Sequence, residues 1–462
     1  MHRAWSAMAT GLLLTACVTP PAAPPPALPR AVPVGASDVG AGAWPAAHWW
    51  RTFGDPQVDA LVALAQGTAP SLRVARARLD AAAAATDAVR ARTGARLTGS
   101  GGVSRNRLSE NGLISSHLLG FESYSQADAG LHLDLDFDWW GRESAALNAA
   151  LDRGRAAAAD AAAGELILVT TVVAEYLGWQ NDGERLATAR ELLDLLHQQQ
   201  ELQTLRSGEG ADDAALVEEL HIQTTQARGM VMQRQASQSR HRLALAALLG
   251  LIPENLPLTE RGIAVVPAVE APADLGLGLI GRRPDVVASR WRVEAGLEDA
   301  AEARAGYYPD LRLSALAGLS SLELSKALSP ASQVGSLGAT LYLPVFDLRG
   351  VRARYGVSRA ALELAVAGYD EVIAAAAREV AMQMLNCRVL VLERSNVTER
   401  MAATEKLRAV AAVRRREGMD DARMLLGEEI EVLRQRDTAL EIDGNLALAR
   451  LALIKALGGA AM

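Results

Sequence analysis

Few stretches of this chain set chemically active residue types at working distances. Gly276-Leu-Gly278-Leu-Ile-Gly281 has the glycine spacing that lets a backbone approach a pyrophosphate. That chemistry needs a strand before the glycines and a βαβ unit around them. No strand pattern precedes them and Pro284 starts the following helix, so no dinucleotide is expected. The seven histidines make neither His-Glu-x-x-His nor any other paired metal spacing. There is no Gly-x-Ser-x-Gly elbow and no P-loop. The expectation is a non-enzyme without cofactor or metal. Two patterns of acidic residues remain. His132, Asp134, Asp136 and Asp138 alternate with Leu131, Leu133, Leu135 and Phe137, which puts acid on one face of a strand and grease on the other. The turns Glu209-Gly210-Ala-Asp212-Asp213 and Glu417-Gly418-Met-Asp420-Asp421 offer carboxylates that can accept backbone N–H groups at a helix start.

What must position these groups is mostly helix. Of the 462 residues 50% are hydrophobic but only 4% aromatic, so the apolar share is chiefly Ala, Leu and Val, a helix-forming composition. A net charge of -7 gives no basic footprint to displace counterions, which argues against a nucleic-acid partner. Beyond the N-terminus no run of 18 apolar residues is found, so a membrane crossing would have to use strands. The strand ending at Trp139-Trp140 either half-buries against a soluble core or crosses a membrane, with lipid on its leucine face, water on its acidic face and the aromatic pair at the interface.

In chain order, residues 1–16 read as a secretory signal ending in Leu14-Thr15-Ala16 before Cys17. Residues 17–43 form a proline-rich tether, with Pro at 20, 21, 24, 25, 26, 29 and 33. Asp55-Pro56 caps a first helix, a second spans about 71–92, and 96–104 gives a weak strand signal. Residues 105–128 are expected to be a long loop. A helix from Arg142 to about Ser207, roughly 100 Å at 1.5 Å per residue, follows the strand. It turns at the first Gly-x-Asp-Asp, with Asp212 or Asp213 as cap, and returns from about Asp213 to Leu249, stopping at Gly250. Cys387 sits in a later helical pattern as a small apolar residue.

The second half repeats the first. Pro70, Arg76 and Arg78 answer to Pro284, Arg290 and Arg292; Asp138-Trp-Trp-Gly141 to Asp347-Leu-Arg-Gly350; and Glu209-Gly210 to Glu417-Gly418. Three anchors in one order at nearly one offset mark a tandem duplication, with repeat 1 at 44–255 and repeat 2 at 256–462. Repeat 2 carries strand patterns at 311–317 and 336–343, the latter placing Leu337, Ala339, Leu341 and Leu343 on one face, and a long helix over about 349–416. The lengths predict that the two shorter helices of each repeat stack end to end beside the long one. The strands then gather at one end and the Gly-Asp-Asp turns at the other.

Four strands cannot close a barrel, and an open edge in lipid leaves backbone groups unpaired at several kcal/mol each, so membrane strands require several chains to share one barrel. The chain resembles the TolC-like outer-membrane factor family, lipoprotein branch of resistance-nodulation-division (RND) efflux systems. The resemblance rests on Trp49-Trp50-Arg-Thr-Phe53-Gly54-Asp55-Pro56, Asp138-Trp-Trp-Gly-Arg142, Arg282-Arg283-Pro284-Asp285-Val286, Tyr308-Pro309 and Pro344-Val-Phe-Asp347, and covers about 49–457. It implies a mainly α chain with a membrane β-barrel part, four strands and long antiparallel helices. Three chains would share a trimeric β-barrel and continue as a periplasmic α-helical tunnel.

Its implied partners are two further copies, a periplasmic adaptor (membrane fusion) protein, an inner-membrane RND pump and outer-membrane lipid, the last through an acylated Cys17. Its implied cargo is drugs or other small amphiphiles. Gly210, Asp212, Asp213, Gly418, Asp420 and Asp421 would then be periplasmic tips touching the adaptor. In a ring of chains their carboxyls would raise one another's pKa and attract cations. Members of the family often carry an Asp about nine residues after the tip glycine. Gly427 stands there, so the aperture falls to Glu428 or Glu429, or to apolar Met424 and Leu425. A lipid-anchored periplasmic scaffold and a duct for protein secretion are the competing readings.

Overall fold

A computed structural model describes residues 48–109, 120–210, 213–260, 262, 266–269, 278, 281–343 and 347–459. The leader, Cys17, the tether, Asp212, Pro344 and the start of the glycine fingerprint lie outside the described residues.

Asp55 accepts from the Gln57 amide at 2.9 Å and starts α1 (Pro56–Thr68) with proline in the first turn. Next come α2 (Pro70–Arg90), β1 (Ala95–Arg107), β2 (Ser123–Phe137), α3 (Arg142–Gly208) and α4 (Ala214–Leu249). The order then recurs as α5 (Pro284–Ala305), β3 (Asp310–Ser321), β4 (Gln333–Tyr342), α6 (Leu348–Arg416) and α7 (Ala422–Ala456). The long helices, 67 and 69 residues, match the sequence reading because Ala-rich runs without proline give the chain no reason to stop.

Two expectations are corrected. Residues 105–128 are not one long loop: β1 runs to Arg107, paired with Ser123 of β2. Arg105-Asn-Arg107 and Ser123-Tyr-Ser125 are polar with little alternation, so this end of the ladder is carried by backbone pairing that periodicity cannot register. Leu343 is not in a strand: pairing of β4 ends at Tyr342 opposite Asp310, and the next residue but one, Pro344, has no N–H to continue a ladder.

The chain forms two compact units. In the first, built around Asp80–Ala156 and Arg290–Gly368, the strands make one antiparallel sheet in the order β1-β2-β3-β4. Leu133 lies opposite Leu97 and Ala315, and Ala315 opposite Leu337, while Phe137, Leu311 and Leu341 form another such row. Leu131, Leu135 and Ala339 share this face. The other face is polar, with Asp134 opposite Arg96 and Asp136 opposite Arg312. Behind the sheet, Thr86 of α2 donates to the Ala150 carbonyl of α3 at 3.2 Å. Leu362 of α6 packs on Gly296 of α5, 3.3 Å from where a Cβ would stand.

The second unit holds the main core. Trp49, Phe53, Val58 and Leu61 pack with Leu168, Val172 and Tyr176 of α3, Leu245 and Leu249 of α4, and Leu451 and Ile454 of α7. The Tyr176 hydroxyl donates to Asp55 at 2.6 Å and accepts from Gln180 at 2.7 Å, so the buried polar group is satisfied. α3 is long and apolar enough to cross a membrane by length and composition, against the expectation from apolar runs. Its apolar stretch from Leu168 to Leu177 is spent on this core instead.

Helix ends meet as the lengths predicted. Thr68 donates to the Leu249 carbonyl at 2.7 Å, and Gly250, at φ 68°, abuts Pro70. In repeat 2, Arg283 donates to the Ala456 carbonyl at 2.7 Å, and Gly458 lies where a Cβ would be 3.0 Å from the Arg282 carbonyl.

Candidate functional site

The tips are built alike. α3 ends at Gly208 and the chain turns through Gly210 at φ 74°; α6 ends at Arg416 and turns through Gly418 at φ 72°. Both values suit glycine because a Cβ is disfavoured in the left-handed region. Asp213 caps α4 by accepting from the Ala215 amide at 2.9 Å, and Asp421 caps α7 by accepting from the Arg423 amide at 2.8 Å. The capping expectation therefore resolves to Asp213.

Arginine sets the electrostatics of the second tip. Asp420 receives two hydrogen bonds from Arg414, at 2.7 and 3.0 Å, and these hold its carboxyl below the usual carboxylate range. Asp421 is forked by Arg423 at 2.9 and 2.7 Å, which likewise lowers it. Asp421 still pushes Asp420 upward, as like charges do, but within one chain the arginine bonds outweigh it; the expected mutual raising belongs to a ring of chains. Arg423 also donates to Gln203 of α3 at 3.2 Å, and Arg206 of α3 lies 3.9 Å from Asp421. The second hairpin is thus tied to the first.

Of the aperture candidates, Met424 is 57% exposed, while Leu425, Glu428 and Glu429 are half-buried in the first turns of α7. The Glu429 charge is felt by Arg408 of α6. Sequence reasoning missed the arginines. Arg414-Arg415-Arg416 stands in plain sight before Glu417, but a charge run alone does not name its partners.

Further along the same unit, Arg185 of α3, almost fully buried, forks Asp437 of α7 with two 2.7 Å bonds and reaches Glu441 at 2.7 Å. Arg234 of α4 stands 3.6 Å from Asp437. A buried guanidinium with satisfied partners fixes register between helices that apolar packing alone would let slide. His241 of α4 lies on Gly178 of α3, its Nδ1 2.8 Å from Glu175. Among the described residues no group of three or more His, Cys, Asp or Glu side chains is placed to hold a metal.

On the sheet, Leu131, Leu133, Phe137, Leu337 and Leu341 are exposed. On the polar face, Arg312 donates to Asp136 at 2.6 Å and Ser320 to Asp128 at 2.6 Å. An open sheet with one exposed apolar face, one polar face and two unpaired edges is an incomplete wall.

The family model described as "Outer membrane efflux protein" matches residues 61–251 and 278–459. The multidrug resistance outer membrane protein MdtP of Escherichia coli K12 is 28% identical over 425 residues, 90% of this chain and 87% of that one. The outer-membrane channel OprN superposes with a TM-score of 0.84 at 25% identity, covering 96% of this chain and 99% of that one. The outer membrane protein VceC of Vibrio cholerae gives 0.81 at 25% identity, covering 90% and 100%.

Proposed function

This chain belongs to the outer membrane efflux protein family, and from that premise we propose that three copies form the exit channel of a tripartite efflux system. One observation carries the trimer: the four-stranded sheet has its apolar face uncovered and its outer strands, β1 and β4, each paired on one side only. In lipid those edges must be closed, and three sheets of four strands give a barrel of about twelve, within the range of bacterial outer-membrane barrels. Leu131, Leu133, Leu135, Phe137, Leu337, Ala339 and Leu341 face lipid; Asp134, Asp136 and Arg312 face the lumen.

The helices continue the lumen through the periplasm. An adaptor (membrane fusion) protein docks at the tips formed by Gly210, Asp212, Asp213, Gly418, Asp420 and Asp421, and an RND pump in the inner membrane supplies drugs or other small amphiphiles. The aperture is lined near Met424, Leu425, Glu428 and Glu429. Residues 1–16 are removed as a signal, Cys17 is acylated, 17–43 act as a tether, and 44–255 and 256–462 are the repeats. No covalent chemistry is needed from the channel. The test is the mass and planar-bilayer conductance of protein extracted from outer membranes. A stable trimer with discrete conductance is expected; a non-conducting monomer released once the lipid is removed overturns the reading.

A further inference from the structure

Within the sheet-bearing unit a cavity of 940 Å³ opens where β2 and β4 end and β3 starts, beside the ends of α2 and α5 and the starts of α3 and α6. Its volume lies in the range of organic-ligand sites. Its sheet wall carries Asp136 and Arg312 from the polar face.

One side is aromatic. Trp140 and Tyr308 stack with centroids 4.4 Å apart and planes 14° from parallel. The Trp140 Nε1–H donates to the Pro309 carbonyl at 2.9 Å, which fixes the indole, and yet the side chain stays 49% exposed. A pinned, unburied aromatic surface at the rim of a cavity is pre-organised to receive a flat or bulky apolar group without losing its own rotamer freedom.

The charge on the lining is unbalanced. Seven carboxylates line the cavity against five guanidinium groups. Four of the five are spoken for: Arg312 by Asp136, Arg153 by Asp299, Arg142 by Asp310 and Arg354 by Asp347. The fifth, Arg92, is exposed. Among the remaining acids, Asp138 accepts from the Glu143 and Ser144 amides at the start of α3, and Glu143 accepts from the Gly94 amide at 3.0 Å. The Glu302 side chain, half-buried on α5, has no ion pair or hydrogen bond among the described residues. An anion would enter against the excess of carboxylate, and a neutral guest would leave Glu302 uncompensated. A diffuse cation satisfies Glu302 and lies against the negative faces of Trp140 and Tyr308.

We propose that this cavity binds amphiphilic organic cations, with Trp140 and Tyr308 holding the apolar body and Glu302 the charge. The proposal rests on the channel reading, which makes the polar sheet face the lumen and this site a station on the cargo's path.

The test compares two ions of one shape and opposite sign, tetraphenylphosphonium and tetraphenylborate, titrated calorimetrically into the full-length protein in detergent against matched empty micelles. Saturable binding of the cation at one site per chain is expected, with only micelle partitioning for the anion. Glu302→Gln and Trp140→Leu, each checked for wild-type oligomeric mass, weaken the cation by about five-fold or more, and Trp140→Tyr retains most of the affinity. Equal binding of both ions, or cation affinity unchanged by both Glu302→Gln and Trp140→Leu, overturns the proposal. A trimer that conducts but does not bind the cation removes this site alone; a wild-type protein that neither assembles nor conducts removes the channel reading itself.

Discussion

Residues 206–215 and 414–423 occupy equivalent places in the two repeats and match in their glycine turns and helix caps, yet they carry opposite charge. The first has Arg206 against Glu209, Asp212 and Asp213; the second has Arg414, Arg415, Arg416 and Arg423 against Glu417, Asp420 and Asp421. The glycine φ angles agree within a few degrees and the caps are the same atoms on the same positions. Duplication kept what the turn needs, while the added guanidinium groups gave the second hairpin its own neutralisation and a hold on the first through Gln203. Geometry at a tip and charge at a tip are therefore separable properties. Arg415 and Arg416 stay exposed and make no ion pair among the described residues.

The largest contrast is expected from removing the caps. Asp213→Ala should cost about 1 kcal/mol locally, the ordinary worth of an N-cap. Asp421→Ala should cost about 2 kcal/mol, because the cap and the Arg423 fork go together. Hydrogen exchange of the first turns of α4 and α7 measures both, and equal losses would dissolve the contrast. Next, Gly210→Ala and Gly418→Ala should each cost about 1 kcal/mol, the left-handed penalty for a Cβ. Here equality is the prediction, and a clear difference in tip amide exchange would mean that the turns are not equivalent.

Arg423→Ala should loosen the link between hairpins by about 0.5–1 kcal/mol, given the partial exposure of its partners. A modest rise in bilayer conductance is the readout, larger than that of Arg206→Ala. Acid gives a smaller effect still. Asp420 and Asp421 have carboxyls lowered in the folded chain, so their stabilisation is full above the unfolded value of about 3.9 and is lost as pH falls through the lowered values. Protection of the second hairpin, corrected for intrinsic exchange, should stay flat from neutral pH to about 4 and fall below it. A decline beginning near pH 6 would point to another group.

The long helices, the duplication, the caps and the exposed leucine rows were legible because each rests on local pattern: absence of breakers, a fixed offset, Asp after Gly, strict alternation. Where pattern has no amplitude, legibility stopped. Gly99 to Gly102 left β1 only a weak signal at 96–104, and its polar end, Arg105 to Arg107, was read as loop together with the Ser123 end of β2. At the tips the acids were visible and their partners were not. Gln203 and Arg423 are 220 residues apart, and nothing in either neighbourhood announces the other. The arginines that lower Asp420 and Asp421 within the chain therefore went unread. Glu302 and Trp140 belong to different repeats, and only the fold gives them a common cavity.

The open edges of β1 and β4 also bear on inheritance. In the proposed trimer the last backbone hydrogen bonds exist only between chains, so a copy with a spoiled edge damages every assembly it joins. In a cell making intact and edge-broken chains in equal amounts and mixing them freely, only about one channel in eight would be whole. A lesion in one of two gene copies would therefore act as a dominant poison rather than a half-loss.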